Sequence, residues 1–351
     1  MSASPNARRM VQSFLQRPRD AALALYAGEA AYNDGAVEVA VALWSIGDDI
    51  DRNMLRLENN MRAPEEARKI SANANKAFKK HFTGLHARAI DKFEKDENAR
   101  VPRIREAVWP LTHDGDVEFR TAKQEPTIFY VPGLPASPVE PNEKFSWVGA
   151  LEAAWRDIRR EYEVAVAKNT SQSPYVPATM QGTEWSKLRG AQDWSAIHLF
   201  KDAQRTSFAD QFSRTVEALS VVDLVSINGV PLEAFFSRLK PGAHIPPHYG
   251  LTNSRVTVHL PLIAPQNCEI HVGDAVHRWR EGEIVAFDDS FLHEAMNNAA
   301  SDRVVLIFEA PHPDLSPPER RAIECAYAVR QDWLLGRGRL LRDYARGGVS
   351  S

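Results

Sequence analysis

Short runs of alternating hydrophobic and polar residues follow one another closely between residues 234 and 310. Alternation with a period of two is typical of strands that bury one face. We assign strands to residues 235–239, 254–262, 269–272, 275–280, 284–287 and 303–310, and the Gly273-Asp274 dipeptide between two of them is a hairpin signal. Short antiparallel strands at this spacing predict a jelly roll, in which two sheets pack face to face.

The residues on either side of this region extend the predicted domain to 143–333. Trp147, Leu151 and Trp155 recur at helical spacing and indicate an amphipathic helix over 145–162. We further expect a strand at 194–200, a helix at 209–219, a strand at the β-branched run 221–227, and a closing helix at 317–333. The predicted fold class is therefore α+β.

Residues 1–123 have helical periodicity throughout. Two apolar-faced helices, at 21–31 and 36–46, flank an Asn33-Asp34-Gly35 turn. They predict either one helix-turn-helix unit of tetratricopeptide type or a plain helical hairpin. Residues 51–105 are charged and rich in helix-forming residues, and the basic pair Lys79 and Lys80 indicates a solvated helix face or a site for an acidic partner.

Proline and arginine mark the expected domain boundaries. Residues 124–142 contain five prolines, which predict a linker; we expect it to cross the surface as an ordered extended segment in which Ile128, Phe129, Tyr130 and Val131 can pack. Residues 334–351 carry several arginines among apolar residues and predict a basic C-terminal tail that forms a frayed or docking helix. The expected organisation is therefore a helical region at 1–123, a linker at 124–142, a jelly roll at 143–333 and a tail at 334–351.

The bulk composition excludes several classes of protein. The chain has 351 residues, 44% of them hydrophobic, and a net charge of −3, which gives no electrostatic footprint for nucleic acid. Its apolar runs fall short of the ~18 residues that a membrane span needs, and the N-terminus has no signal-peptide pattern, so we expect a cytoplasmic protein. Cys268 and Cys325 are far apart and predict two ordinary thiols.

Two histidines are the candidate metal ligands. His248 follows two prolines, and His293 ends the run Asp-Asp-Ser-Phe-Leu-His. Imidazoles on two facing strands can hold iron, zinc, copper or nickel, although two unrelated core histidines would give the same pattern. The usual non-haem iron site has a carboxylate two residues after the first histidine, where this chain has Gly250. Asp288, Asp289 or water would then complete the site.

An arginine in an apolar strand is the candidate anion site. Arg303 begins the run Arg-Val-Val-Leu-Ile-Phe-Glu, and burial of an unpaired guanidinium is costly. It can therefore hold a carboxylate ligand in bidentate fashion, or form an internal salt bridge to Glu309 or Asp302. Ser237 can add a hydroxyl donor to the same anion, and His259 alternates with apolar residues on its strand.

Three segments together resemble the aspartyl/asparaginyl β-hydroxylase family of 2-oxoglutarate-dependent oxygenases. They are HYGLTNSRVTVHL from residue 248, WREGEIVAFDDSFLHE from residue 279 and RVVLIFEAPHPDL from residue 303. The resemblance covers about residues 128–325 and rests on the combined spacing. It implies a double-stranded β-helix, which is the jelly roll predicted above, and an iron site with two histidines and no carboxylate. The helical N-terminal region resembles the family's tetratricopeptide-type extension more weakly.

The resemblance also implies residue roles. It assigns the metal to His248 and His293, the 2-oxoglutarate carboxylates and pocket to Arg303, Ser237, His259 and Trp194, and the substrate's acidic group to Arg255 and Arg189. Thr257 stands where well-known members of the family carry a second arginine. Loss of that charge should weaken anion binding or change which acid is accepted, which puts an Asp- or Asn-residue substrate in doubt more than the co-substrate.

The implied function is hydroxylation with iron(II), 2-oxoglutarate and O2, which gives succinate and CO2. The substrate would be an Asp- or Asn-like group that bears a carboxylate or amide, on a peptide, a protein or a small amino acid. The alternative is a non-catalytic jelly roll that binds an anion or a peptide, and a further hypothesis makes residues 1–123 a peptide-docking scaffold. The sequence leaves the oligomeric state open.

Overall fold

A computed structural model of the chain describes residues 4–168, 170–180, 182–227 and 229–347. These residues form two compact units. One unit is Glu118–Arg320, and the other combines residues 4–117 with residues 321–347. The candidate metal and anion residues all lie in the first of these, which is called the sheet unit below.

Helices account for most of the second unit and for the outer layer of the sheet unit. The α-helices are α1 (Pro5–Gln16), α2 (Ala21–Asn33), α3 (Val37–Ile50), α4 (Glu65–Asp96), α5 (Pro102–Arg105), α6 (Val148–Ala167), α7 (Ser213–Leu219) and α8 (Pro317–Ala345). Short 3-10 helices occupy Met54–Asn59, Asn142–Lys144 and Ser207–Gln211. Within the described residues, none of these helices has the length and apolar character needed to cross a membrane.

The strands belong to the sheet unit. They are β1 (Val139–Glu140), β2 (Ser173–Pro174), β3 (Trp194–Lys201), β4 (Gln204–Arg205), β5 (Ser226–Ile227), β6 (Val230–Pro231), β7 (Ala234–Leu239), β8 (His244–His248), β9 (Arg255–Ile263), β10 (Cys268–Val272), β11 (Ala275–Arg278), β12 (Val285–Phe287), β13 (His293–Asn297) and β14 (Arg303–Pro311). The predicted strands at 235–239, 254–262, 269–272 and 303–310 are found within one residue of their expected ends. The Gly273-Asp274 hairpin joins β10 to β11 as predicted.

Two antiparallel sheets form the framework. The larger has the strand order β1-β12-β9-β14-β7-β3-β2, with β4 paired to β3, and the smaller has the order β11-β10-β13-β8. Neighbours in each sheet are often distant in sequence, as when β9 and β7 flank β14. This arrangement of two facing sheets confirms the predicted jelly-roll class, and the sheets do not close into one barrel.

Alternation along β14 separates the two faces of the larger sheet. Val304, Leu306 and Phe308 join a core cluster with Leu151 and Ile158 of α6, which therefore covers the outer face. The intervening residues of the strand point to the opposite, inner face. The inner face meets the smaller sheet, whose Ile245, Ile270, Val272 and Ala295 cluster with Phe287 of the larger one. The predicted site lies between these two sheets.

The predicted helical hairpin near the N-terminus is present as α2 and α3. Gly35 ends α2 with a φ of 80°, a left-handed conformation that glycine adopts without steric cost. Gly28 lies against Trp44, because a Cβ built on it would be 2.2 Å from the indole Nε1. Whether this hairpin is a tetratricopeptide unit stays a prediction.

The structure adds detail to two of the predicted segments and differs from a third, the run 221–227. Phe129 and Val131 of the expected linker are fully buried, Val131 exchanges hydrogen bonds with Asn253, and β1 extends the larger sheet. The expected tail continues α8 to Ala345. In the β-branched run 221–227 only Ser226–Ile227 is a strand. Tertiary packing decides each case, since proline content and β propensity are only local preferences.

Candidate functional site

His248 and His293 lie opposite each other on β8 and β13. The two residues are register partners in the smaller sheet, and their ring centroids are 4.1 Å apart. Nδ1 of His248 donates to the carbonyl of Pro246 at 2.8 Å, and Nδ1 of His293 donates to that of Phe291 at 2.9 Å. A carbonyl only accepts, so each Nδ1 carries the proton and each Nε2 keeps its lone pair.

Burial also keeps both imidazoles neutral. It lowers the pKa of His248 to about 4, and the charge of His293 beside it acts in the same direction. Burial likewise lowers the pKa of His293 below its ordinary value. Metal ions bind the neutral ring, so the tautomer and the protonation state both suit coordination through Nε2.

Asp289 occupies the space beside Gly250, where the usual iron site carries its carboxylate. A Cβ built on Gly250 would be 2.2 Å from Cγ of Asp289. One oxygen of Asp289 accepts a hydrogen bond from Thr257 Oγ1 at 3.0 Å. Nowhere in the described ranges do three His, Cys, Asp or Glu side chains converge as a metal site. The two imidazoles are therefore the donors that this structure offers.

Arg303 has a buried guanidinium group whose positive charge is not balanced by a carboxylate among the described residues. Its residue surface is 1% exposed, and burial lowers its pKa to about 10. Nη1 donates to the backbone oxygen and hydroxyl of Ser237 at 3.4 and 3.3 Å, and the guanidinium carbon lies 4.7 Å from the ring centre of Trp279. Trp194 Nε1 donates to the same hydroxyl at 3.0 Å. These neutral contacts position the guanidinium without balancing its charge.

The internal salt bridge that the sequence left open for Arg303 is not formed. Glu309 pairs instead with Arg255, and Asp302 lies 3.8 Å from Arg238. Within the described part of the chain, Arg303 has no carboxylate partner. A buried, uncompensated guanidinium is expensive unless an anion binds to it. The geometry therefore favours a carboxylate ligand over a structural role.

His259 adds a polar atom next to this guanidinium. The ring is almost fully buried, and its Nδ1 has no hydrogen-bond partner among the described residues. Burial, with a smaller contribution from the charge of Arg303, lowers the pKa of His259 well below its ordinary value. A neutral ring with an unsatisfied nitrogen is suited to contact a polar ligand atom.

A cavity of about 130 Å³ between the sheets joins these groups. Six of the eight residues predicted from the sequence line it: His248, His293, Arg303, Ser237, His259 and Trp194. They come from six different strands, so only the fold brings them together. A pocket with apolar walls and a few convergent polar groups is the usual form of a small-molecule site.

The two residues predicted to bind the substrate's acidic group are placed differently. Arg189 is exposed, does not line the cavity, and donates to the carbonyl of Gly182. Arg255 is not among the lining residues, and its Nε lies 3.0 Å from Oε1 of Glu309. Neither guanidinium therefore has the position expected of a free carboxylate receptor in this cavity.

Sequence reasoning missed part of the cavity wall. Glu233 and Tyr175 line it together with Glu309, which the sequence suggested only as a salt-bridge partner. Burial raises the pKa of Glu309 to about 7. Alternation from Arg303 places Glu309 on the same inner face, so the period of two would have found it. Tyr175 lies in a loop-rich region and carries no such signal.

Comparison with known proteins identifies the central segment. Residues 152–313 match the family model described as aspartyl/asparaginyl beta-hydroxylase. The chain is 32% identical over 214 residues to aspartate beta-hydroxylase domain-containing protein 2 of Xenopus tropicalis, which covers 60% of this chain and 56% of the relative. It is 30% identical over 201 residues to aspartyl/asparaginyl beta-hydroxylase of Mus musculus, covering 56% of this chain and 26% of the relative.

The chain thus aligns with about half of one relative and about a quarter of the other. Among solved structures, a prolyl-4-hydroxylase of Pseudomonas putida matches with a TM-score of 0.27 at 16% identity, over 47% of this chain and 88% of that chain. A TM-score this low carries no argument about the site. The segment that matches the family model contains His248, His293, Arg303 and Ser237, so residues 152–313 are similar to the aspartyl/asparaginyl beta-hydroxylases.

Proposed function

We propose that this protein is an iron(II)- and 2-oxoglutarate-dependent hydroxylase. One observation carries the proposal: the buried guanidinium of Arg303, which lacks a carboxylate partner among the described residues, lines the same cavity as two neutral imidazoles. A metal at the imidazoles and a dicarboxylate reaching to the guanidinium would satisfy both. The names of the relatives support hydroxylation as the reaction.

His248 and His293 would hold the metal through their Nε2 atoms. Imidazole is a good ligand for iron(II), and the backbone carbonyls at Nδ1 fix both rings in the ligating tautomer. Iron(II) with bound 2-oxoglutarate supplies the oxygen activation that yields succinate, CO2 and a hydroxylated product. The protein's own task is to place the two acids and limit access of water.

The remaining polar groups of the cavity would bind different parts of 2-oxoglutarate. Arg303 is suited to hold the distal carboxylate in bidentate fashion, and the Ser237 hydroxyl can turn to donate to the same oxygen. Trp194 holds that hydroxyl in place through its indole N–H. His259 would meet the carboxylate nearer the metal. Apolar lining residues, such as Ile245 and Phe287, shield the bound acid from water.

The sequence-derived substrate is a carboxylate- or amide-bearing group of a peptide, a protein or a small amino acid. It rests on the family and on Arg255 and Arg189. Because Arg255 is paired with Glu309 and Arg189 is outside the cavity lining, the contacts give little support to the carboxylate form. The helical unit is a candidate for docking a macromolecular substrate.

Calorimetry tests the proposal against the alternative of a non-catalytic anion-binding jelly roll. Manganese(II), an inert substitute for iron(II), should bind with a stoichiometry of about one, and 2-oxoglutarate should bind more tightly after manganese is added. Binding of 2-oxoglutarate with no response to metal would favour the anion-binding protein. Iron-loaded protein should then release succinate from 2-oxoglutarate with a suitable peptide substrate.

A further inference from the structure

The cavity has a charge distribution that the predicted acidic substrate does not explain. Arg303 lies on its wall near the His259 ring, while Glu233, Asp289 and Glu309 also line it. In the proposed complex the metal binds the keto and adjacent carboxylate oxygens of 2-oxoglutarate, and Arg303 pairs with its distal carboxylate. The positive charges of the metal and of Arg303 are therefore already neutralised by 2-oxoglutarate. The charged groups that remain for the substrate on the cavity wall are then mainly the carboxylates of Glu233, Asp289 and Glu309.

Glu309 is the most informative of the three. Its side chain is 11% exposed, and Oε1 lies 3.0 Å from Arg255. Oε2 is buried, and within the described ranges it has no hydrogen-bond partner. A carboxylate accepts several hydrogen bonds, so this oxygen is an unmet acceptor on the cavity wall. The Arg255 charge is meanwhile opposed by two carboxylates of the cavity wall, since it pairs with Glu309 and also interacts with Asp289.

The position of the family's second arginine strengthens the same conclusion. Thr257 stands there, and its hydroxyl donates to Asp289 at 3.0 Å. The other oxygen of Asp289, Oδ1, is buried and has no hydrogen-bond partner in the described residues. Where the family's arginine would attract a substrate carboxylate, this chain has a threonine hydroxyl that is already hydrogen-bonded to the Asp289 carboxylate.

Aromatic rings complete this wall. Tyr175 stacks on Trp194 with centroids 3.9 Å apart and on Phe235 at 5.2 Å, and all three line the cavity. Glu233, which also lines it, lies 3.5 Å from His198. Rings beside carboxylates are the combination that binds ammonium and guanidinium groups, because the ring faces and the carboxylates both attract positive charge.

We propose, on the basis of the hydroxylase function proposed above, that the substrate is recognised through a cationic group. Glu309 would bind an ammonium or guanidinium group, with Glu233 and the aromatic rings beside it. Such a group fits the cavity better than a carboxylate does. Its N–H groups would supply the donor that Glu309 Oε2 lacks. The substrate class is therefore an amine- or guanidine-bearing side chain or small molecule rather than an aspartate.

The test compares three probes of similar backbone and different charge. They are the Nα-acetyl methylamides of lysine, norleucine and aspartate, titrated calorimetrically into the full chain loaded with manganese(II) and N-oxalylglycine. A charge-assisted hydrogen bond should make the lysine probe bind about tenfold or more tightly than norleucine, with aspartate the weakest. Equal binding of lysine and norleucine, or tightest binding of aspartate, would overturn the inference.

Two variants test the assigned carboxylate. Glu309→Gln should remove most of the lysine preference and, because it removes a negative charge beside Arg255, strengthen binding of the aspartate probe. Because that variant removes a carboxylate from beside a largely buried guanidinium, the double variant Arg255→Gln/Glu309→Gln keeps the net charge of the pair at zero, and it should lose the lysine preference without gaining one for aspartate. Glu283→Gln, at an exposed carboxylate, should behave as the wild type. A lysine preference that survives both cavity variants would refute the role of Glu309.

The same titrations separate this inference from the hydroxylase proposal. If manganese and N-oxalylglycine bind but the probes show no preference for positive charge, the substrate class is wrong and the hydroxylase proposal stands. If metal and N-oxalylglycine fail to bind while the lysine probe binds the protein alone, the cation site stands and the hydroxylase proposal falls.

Discussion

His248 and His293 face each other across neighbouring antiparallel strands, and each ring donates its Nδ1 proton to the carbonyl two residues before it. The repeated offset gives both rings the same tautomer and leaves both Nε2 lone pairs for a ligand. Because the acceptors are main-chain atoms, this orientation is built into the strands and does not depend on a further side chain. The metal proposal rests on this relationship.

His248→Ala and His293→Ala should each weaken manganese(II) binding by about 100-fold or more, because each removes one of the two imidazole donors. Calorimetry at constant pH measures the loss. His244→Ala is the matched control, since His244 lies on the same strand but contacts Glu294 and does not line the cavity. Unchanged metal affinity in either cavity variant would end the metal assignment.

Ser237→Ala should weaken 2-oxoglutarate binding by about tenfold, because it removes one donor and leaves the Trp194 indole and the Arg303 guanidinium without their shared acceptor. The measurement is the 2-oxoglutarate dissociation constant of the manganese form. Ser195→Ala is the control, since Ser195 is also buried in the larger sheet but binds Gln172 and Arg238. Equal losses in both variants would assign Ser237 a structural role only.

Gly250→Ala should destabilise the protein by about 1–3 kcal/mol, because its Cβ would lie 2.2 Å from Cγ of Asp289 and the carboxylate would have to move. The displacement would also break the hydrogen bond from Thr257. Urea unfolding measures the change. Gly149→Ala provides the control, since a Cβ there meets nothing within 4 Å and the residue lies in a helix. Similar stabilities of the two variants would contradict the close packing.

Asp288 should make stability depend on pH. The carboxyl is fully buried and accepts hydrogen bonds from Ser290 and Gln124, but burial dominates and raises its pKa from 3.8 to about 7. Between these values the folded state keeps a proton that the unfolded state has lost. Its contribution to the free energy of unfolding therefore falls as pH rises from about 4 to 7, by at most ~1.4 kcal/mol per pH unit, and levels off above.

Asp288→Asn cannot titrate and should lose this contribution. Urea midpoints at pH 5, 6, 7 and 8 should therefore fall less steeply for Asp288→Asn than for the wild type. Asp274→Asn, at an exposed carboxyl, should keep the wild-type slope. Parallel curves for Asp288→Asn and the wild type would show that Asp288 is ionised throughout.

Local pattern was enough to predict much of the sheet unit. Alternation located most of the strands of the larger sheet, and the spacing of His248, His293 and Arg303 pointed to one site. It failed at residues 221–227, where β-branched residues are mostly outside strands. There, contacts with distant residues outweigh local preference.

The sequence by itself determined which residues share a strand face, because side-chain alternation is a property of the strand. Only the tertiary structure decided which of the charged residues form ion pairs and which do not. Pairing of β9 with β14 brings Arg255 to Glu309, and this leaves Arg303 without the partner that the sequence had offered it. Charge pairing depends on distances of a few ångströms between residues far apart in the chain, and strand order sets those distances.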